Sequence, residues 1–210
     1  MLKVENIAFS YSQETSFDFP NFELKQGEQS LLIGESGSGK TTLLHLLAGF
    51  TKAKAGDIFV ADTNISKLKN AALDSFRGQN IGFVFQKPLF IQSLNVAENI
   101  LMAQHLGSKK TDLFAIKQTL KKLGLEDKLN AQVNTLSEGE KQRVNIARAL
   151  INSPKVIFAD EPTSALDDTN CKAVIELLKG VAKEYNSTLL VVTHDNRLKQ
   201  EFNRSIELKK

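Results

Sequence analysis

The chain has 210 residues, 41% of them hydrophobic and 24% charged, with a formal net charge of +3. That balance belongs to a globular protein with a real core. No block of five or six like charges occurs, so the charge pattern makes no demand for nucleic acid; Lys109-Lys110 and Lys121-Lys122 read as solvated helix faces. The single cysteine, Cys171, excludes an intrachain disulfide and suits a reducing compartment. Residues 1–6 carry no signal-peptide apolar run, and no stretch approaches the roughly 20 apolar residues of a membrane helix. The chain is therefore expected to be soluble by itself, and any membrane work would need spans from another chain.

Residues 3–9 alternate loosely between apolar and polar, and short apolar runs follow at 17–19 and 22–24. Ile58-Phe59-Val60 comes after a predicted Gly56-Asp57 turn, so this region is expected to form antiparallel hairpins. Residues 29–33 predict a buried strand running into a glycine-rich loop. Residues 41–48, with Leu43, Leu44, Leu46 and Leu47, predict the helix after it, ended by Gly49. From about 88 to 153 the pattern is mostly helical, at 96–105, 111–123 and 138–151. A buried strand at 156–159, a helix at 168–183 and a second buried strand at 188–192 complete the chain. Strands alternating with helices imply a parallel sheet covered on both faces. The expected organisation is one α/β domain over 1–210. Residues 1–86 and 154–210 would form the core with its β subdomain, and 87–153 an inserted helical lobe.

Gly34-Glu35-Ser36-Gly37-Ser38-Gly39-Lys40-Thr41-Thr42 matches the phosphate-loop pattern in full, between a predicted strand and helix. Glycines let the backbone turn its N–H groups onto phosphates, and the helix N-terminus adds partial positive charge. Lys40 should reach the β and γ phosphates, and Thr41 should offer its hydroxyl to Mg²⁺. The strand at 156–159 ends in Asp160-Glu161, at the carboxyl edge of the sheet where ligands bind in open α/β folds. Asp160 is suited to hold Mg²⁺ through water, and Glu161 to polarise the attacking water as general base. Two acids at a strand end could by themselves be a helix-cap feature; their company with the phosphate loop favours the catalytic reading.

Leu136-Ser137-Glu138-Gly139-Glu140, followed by Lys141-Gln142-Arg143-Val144, resembles the signature motif and helix of the ATP-binding-cassette (ABC) ATPases. The resemblance covers nearly the whole chain. It implies a P-loop NTPase of ABC type, with a mostly parallel core sheet flanked by helices, an N-terminal antiparallel β subdomain and an inserted helical subdomain. Ser137, Gly139 and Glu140 then stand where the family caps the γ-phosphate of ATP held by the opposite subunit. Glu138 replaces the family's commoner glycine and Glu140 its commoner glutamine; Glu138 is expected to point away from the nucleotide. Tyr11 stands at the position of the adenine-stacking aromatic, the alternative being a hydrophobic-core role. Gln86 matches the glutamine that senses Mg²⁺ and water, Ser164-Ala165-Leu166-Asp167 the loop that crosses the dimer interface, and His194 the histidine that would bond the γ-phosphate and orient Glu161. His45 and His105 read as ordinary helix residues.

The resemblance implies an ATPase subunit that binds ATP and Mg²⁺, dimerises head to tail around two nucleotides, and drives a separate integral membrane permease from the cytoplasmic face. Gly82-Phe83-Val84-Phe85-Gln86, Val96-Ala97-Glu98-Asn99-Ile100 and the Ser-x-Gly-Glu signature are similar to the lipoprotein-releasing and macrolide-export branch. The cell-division and peptide-export relatives share this look. A soluble ABC ATPase with a non-membrane partner is the alternative, and a non-hydrolysing scaffold is a third class that Glu161 and His194 argue against. No nucleic acid is expected.

Overall fold

The computed structural model describes residues 1–11, 16–164 and 168–208. Two sheets carry the fold. The first is antiparallel. Its central strand β1 (Leu2–Ser10) pairs with β2 (Ser16–Asp18) and β3 (Phe22–Leu24), and on its other edge with β5 (Ala55–Val60), which in turn pairs with β6 (Thr63–Asn64). The second is wholly parallel: β10 (Ser205–Leu208), β4 (Gln29–Gly34), β9 (Thr188–Val192), β8 (Val156–Asp160) and β7 (Ile81–Val84), in that spatial order. Among the described residues six α-helices accompany the sheets: α1 (Lys40–Leu47), α2 (Asn70–Asn80), α3 (Val96–Leu106), α4 (Leu113–Lys122), α5 (Glu138–Leu150) and α6 (Asp168–Glu184).

The parallel strands are apolar on both faces because both faces are covered. Along β4, Leu31 joins the core under α3–α6 while Leu32 joins the core shared with α1 and the antiparallel sheet. The same period-two division separates Ile157 from Phe158 and Leu189 from Leu190. The fold class expected from the sequence is the one found, as are the helices at 96–105, 111–123 and 138–151 to within about two residues at each end.

One local expectation is corrected. Gly56 and Asp57 do not form a turn; both lie inside β5. Gly56 has φ +86°, and a Cβ there would meet the Asn6 and Glu5 carbonyl oxygens at 2.3 and 2.4 Å. The β1–β5 register shifts between Glu5 and Ala8, so the glycine serves an irregularity in the ladder that lets two backbones approach.

Candidate nucleotide site

The phosphate loop joins β4 to α1. Gly37 and Gly39 have φ of +81° and +88°, a left-handed region that disfavours side chains. At Gly39 the close packing adds a second requirement, since a Cβ there would lie 2.7 Å from the Phe17 ring. Lys40 Nζ donates to the carbonyls of Gly34 at 2.8 Å and Glu35 at 2.9 Å. Those bonds hold the ammonium against the start of the loop.

A cleft of about 820 Å³ opens over this loop. Gly34, Glu35, Ser36, Gly37, Gly39, Lys40, Thr41 and Thr42 line it from below, and Gln86, Glu161 and His194 from the side. The fold thus brings residues from four separate segments into one cavity. Ser38 does not line this cleft; its hydroxyl is buried in the loop and has no hydrogen-bond partner among the described residues. Tyr11 lies outside it too. Its ring is 67% exposed, edge-on to Phe9, with its hydroxyl 3.1 Å from Thr42 Oγ1.

Strand β8 delivers the two acids. Asp160, paired across to Val192, is buried, and its carboxyl is pushed above the usual range by that burial, with the neighbouring Glu161 charge adding to the effect. Thr41 Oγ1 donates to it at 3.4 Å. Glu161 follows with φ +45°, a strained conformation costing on the order of 1–3 kcal/mol. Its N–H donates to the Val192 carbonyl at 2.8 Å, which ties the turn to β9. The turn redirects the side chain off the strand and into the cleft.

There Glu161 Oε1 meets His194 Nδ1 at 2.7 Å, and Oε2 accepts from Thr193 Oγ1 at 3.3 Å. Thr193 is buried and also accepts the Asp195 N–H at 3.0 Å. His194 is 68% exposed, so its far edge faces the open cleft. Gln86 Nε2 donates to Ser164 Oγ at 3.3 Å, which links the end of the β7 segment to the loop after β8. The rest of that loop, residues 165–167, lies outside the described residues.

The residues fit a magnesium ion. Asp160 is a buried carboxylate, and among the described residues its one side-chain hydrogen bond is the long one from the Thr41 hydroxyl. Among the described residues no group of three or more His, Cys, Asp or Glu is gathered to cage a metal. Mg²⁺ ordinarily takes only one or two protein ligands and completes its shell with phosphates and water.

The signature motif is built elsewhere. Ser137 caps α5 and forms a reciprocal box with Glu140: Glu140 N–H donates to Ser137 Oγ at 3.3 Å, and Ser137 N–H donates to Glu140 Oε2 at 2.8 Å. Glu138 is 72% exposed and paired with Lys141 at 2.7 Å. Among the described residues a Cβ at Gly139 would meet nothing nearer than Arg143 at 3.7 Å, so their packing does not require the glycine. None of Ser137, Gly139 and Glu140 lines the chain's own phosphate cleft.

Further along α5, Gln142 donates to the Pro162 carbonyl at 3.0 Å and Asn145 to the Phe85 carbonyl at 2.9 Å, while Arg148 donates to the Leu89 carbonyl. The helix therefore grips both the residue after Glu161 and the segment around Gln86. Sequence reasoning missed Thr193, Gln142, Asn145 and Arg148. Thr193 had a usable signal in its position beside His194; the others are visible only once α5 is packed.

A complete phosphate loop at a strand–helix junction, with an acid pair on a nearby parallel strand, defines a P-loop nucleoside triphosphatase. The chain belongs to the ABC transporter ATPase family: residues 17–164 match it, and its members are ATP-binding, ATP-hydrolysing transporter subunits. It is 35% identical over 214 residues to the lipoprotein-releasing system ATP-binding protein LolD of Syntrophotalea carbinolica, covering 99% of this chain and 94% of that one. Its fold superposes with TM-score 0.88, at 33% identity, on a dimeric post-hydrolysis state of the ATP-binding cassette MJ0796 bound to ADP and Pi, covering 100% and 94% of the two chains. CbiO1 of Clostridium perfringens, part of the ABC transporter complex CbiONQ, gives TM-score 0.82 at 30% identity over 92% and 78%.

Proposed function

We propose that two copies of this chain close head to tail on two ATP molecules and drive a separate membrane permease, in the mechanical manner of the lipoprotein-release and macrolide-export transporters. The observation that carries this reading is the placement of the signature motif. Ser137 and Gly139 sit at a helix N-terminus, an anion-binding arrangement, yet outside the chain's own cleft. The dimeric MJ0796 cassette and the LolD relative support it.

In this account the loop N–H groups and Lys40 hold the β and γ phosphates, and Ser137 and Gly139 of the other copy cap the γ-phosphate. Glu161 takes a proton from the attacking water, positioned by Thr193 and His194. His194, bonded to Glu161 through Nδ1, presents its other ring nitrogen to the phosphate. Thr41 and Asp160, with Gln86 on the approach, would hold Mg²⁺, which supplies charge neutralisation of the phosphates. Tyr11 swings from Thr42 to stack on adenine.

The permease docks in a second cleft of about 740 Å³, floored by Phe50, Phe83 and Phe85 and walled by Leu89, Ile91 and Leu106. Phe50, Leu89, Ile91 and Leu106 are all exposed in the lone chain. Among the described residues no helix is long and apolar enough to cross a membrane, so the spans belong to that partner and the chain sits peripherally on the cytoplasmic face. The division into a core, 1–86 with 154–210, and a helical lobe, 87–153, belongs to the same reading: the lobe carries the signature and moves with the partner.

The test is purification of a tagged Glu161→Gln chain from its native host membranes in mild detergent with ATP and Mg²⁺. A stoichiometric partner with a few spans and a large extracytoplasmic domain is expected. A partner with many spans would discard the branch, and recovery with soluble proteins alone would discard the transporter.

A further inference from the structure

The Ser137 hydroxyl has one proton, and it is already committed: Ser137 Oγ donates to Glu140 Oε2 at 2.8 Å. A phosphate oxygen is acceptor-only, so Ser137 can serve a γ-phosphate only by releasing that bond. The carboxylate it leaves is a further difficulty. Glu140 occupies the first turn of α5, where the partial positive charge of the helix end should meet the incoming anion. Its pKa is drawn down to about 2 by the Ser137 backbone and side-chain bonds and by Lys128, so it stays ionised at neutral pH.

Lys128 answers both difficulties. Its Nζ lies 3.2 Å from Glu140 Oε1, the oxygen that Ser137 does not use. The backbone around it is pinned: Lys128 N–H donates to the Leu125 carbonyl, Ala131 N–H to the Lys128 carbonyl, and Ala97 N–H of α3 to the Leu129 carbonyl. Lys128 is shared with Asp127 at 3.6 Å, whereas Glu138 has its own cation in Lys141. The Glu140 side chain is 19% exposed, so its charge is only partly screened by water.

We infer that Lys128 is a positioning residue of the composite ATP site: it holds and neutralises the Glu140 carboxylate, which frees the Ser137 hydroxyl to turn toward the γ-phosphate bound by the other copy. The inference rests on the proposal that Ser137 and Gly139 act in trans. When the hydroxyl turns away, Glu140 keeps the Ser137 N–H and Lys128. Without Lys128, the departing hydroxyl would strand a negative charge beside an arriving triphosphate. A neutral glutamine at position 140 would need no such cation.

The experiment measures ATP-driven dimerisation of the full chain by light scattering, in a Glu161→Gln background. Lys128→Ala is expected to raise the ATP concentration for half-maximal dimerisation about tenfold, the size of one partly screened charge contact. Lys128→Arg should stay close to the parent. Adding Glu140→Gln to Lys128→Ala should restore dimerisation, because the stranded charge is gone. Unchanged dimerisation in Lys128→Ala, or a defect that Glu140→Gln does not relieve, would overturn the inference and leave Lys128 a packing residue. Gly139→Asp tests the underlying reading separately: if it dimerises as well as the parent, the trans site itself is wrong.

Discussion

Asn99 is 2% exposed and ties the segment after Gln86 to α3. Its Oδ1 accepts the Ile91 N–H at 2.9 Å, and its Nδ2 reaches the carbonyls of Ile91, Leu94 and Asn95 at 3.2, 3.0 and 3.0 Å. Asn99→Ala should not cost all of these equally. The Ile91 carbonyl still accepts from Leu94 N–H, and the Asn95 carbonyl from Asn99 N–H. The Ile91 N–H and the Leu94 carbonyl are the two groups left without those partners. At about 1–3 kcal/mol for each group left unsatisfied, and with Ile91 near enough to solvent for water to relieve part of it, the loss is about 2–4 kcal/mol. For a chain of this size that lowers Tm by roughly 4–16 °C. Calorimetry measures the shift, and amide hydrogen exchange should show faster exchange at Ile91. The segment carries Leu89 and Ile91 into the proposed docking cleft, so the variant should also uncouple partner binding more than ATP binding. A Tm matching wild type, with unchanged exchange at Ile91, would refute the assignment of Asn99 as the clamp.

Glu161→Gln removes the proposed base and should lower ATP turnover by about 10²–10⁴ while ATP binding, followed by a fluorescent analogue, is retained. Asp160→Asn should abolish Mg²⁺-dependent stabilisation by ATP yet raise the Tm of the nucleotide-free protein at neutral pH. The sign follows from the raised pKa: the contribution of Asp160 is fully present below its ordinary value of 3.8 and is lost as pH rises through the folded value. The Tm advantage of Asp160→Asn should therefore narrow as pH falls toward 3.8 and widen toward neutrality. Glu138→Gly should keep or raise ATPase activity, because the carboxylate points to solvent and its exposed pair with Lys141 is worth only about 0–1 kcal/mol; a large loss would give Glu138 a specific role.

The chemistry-bearing motifs were legible in the sequence because each is continuous and sits at an element boundary. The phosphate loop is nine consecutive residues, and Asp160-Glu161 end an unbroken apolar run. What escaped has physical reasons. Helix α2 buries only Leu73, so it shows no apolar stripe. Strand β7 has four residues, too few for a period, and β10 is a short edge strand with only Ile206 and Leu208 buried. Gly56 looked like a turn because a single glycine reads the same in a turn and in a strand irregularity. Asn99 acts on backbone groups of the irregular segment before it, and Lys128 on Glu140 across a loop, so their chemistry appears only after packing; Thr193 could have been read from its place beside His194.

If each ATP site is shared between two copies, mixing two defective chains should restore activity. Lys40→Ala and Gly139→Asp should each be nearly inactive alone, since every site in either homodimer carries one defect. In a mixed dimer one site collects both defects and the other collects none. An equimolar mixture should therefore recover about a quarter of wild-type ATPase activity, half of the dimers being mixed and half of their sites intact. A mixture as inactive as its two components would contradict the shared site and return the signature motif to a role within its own chain.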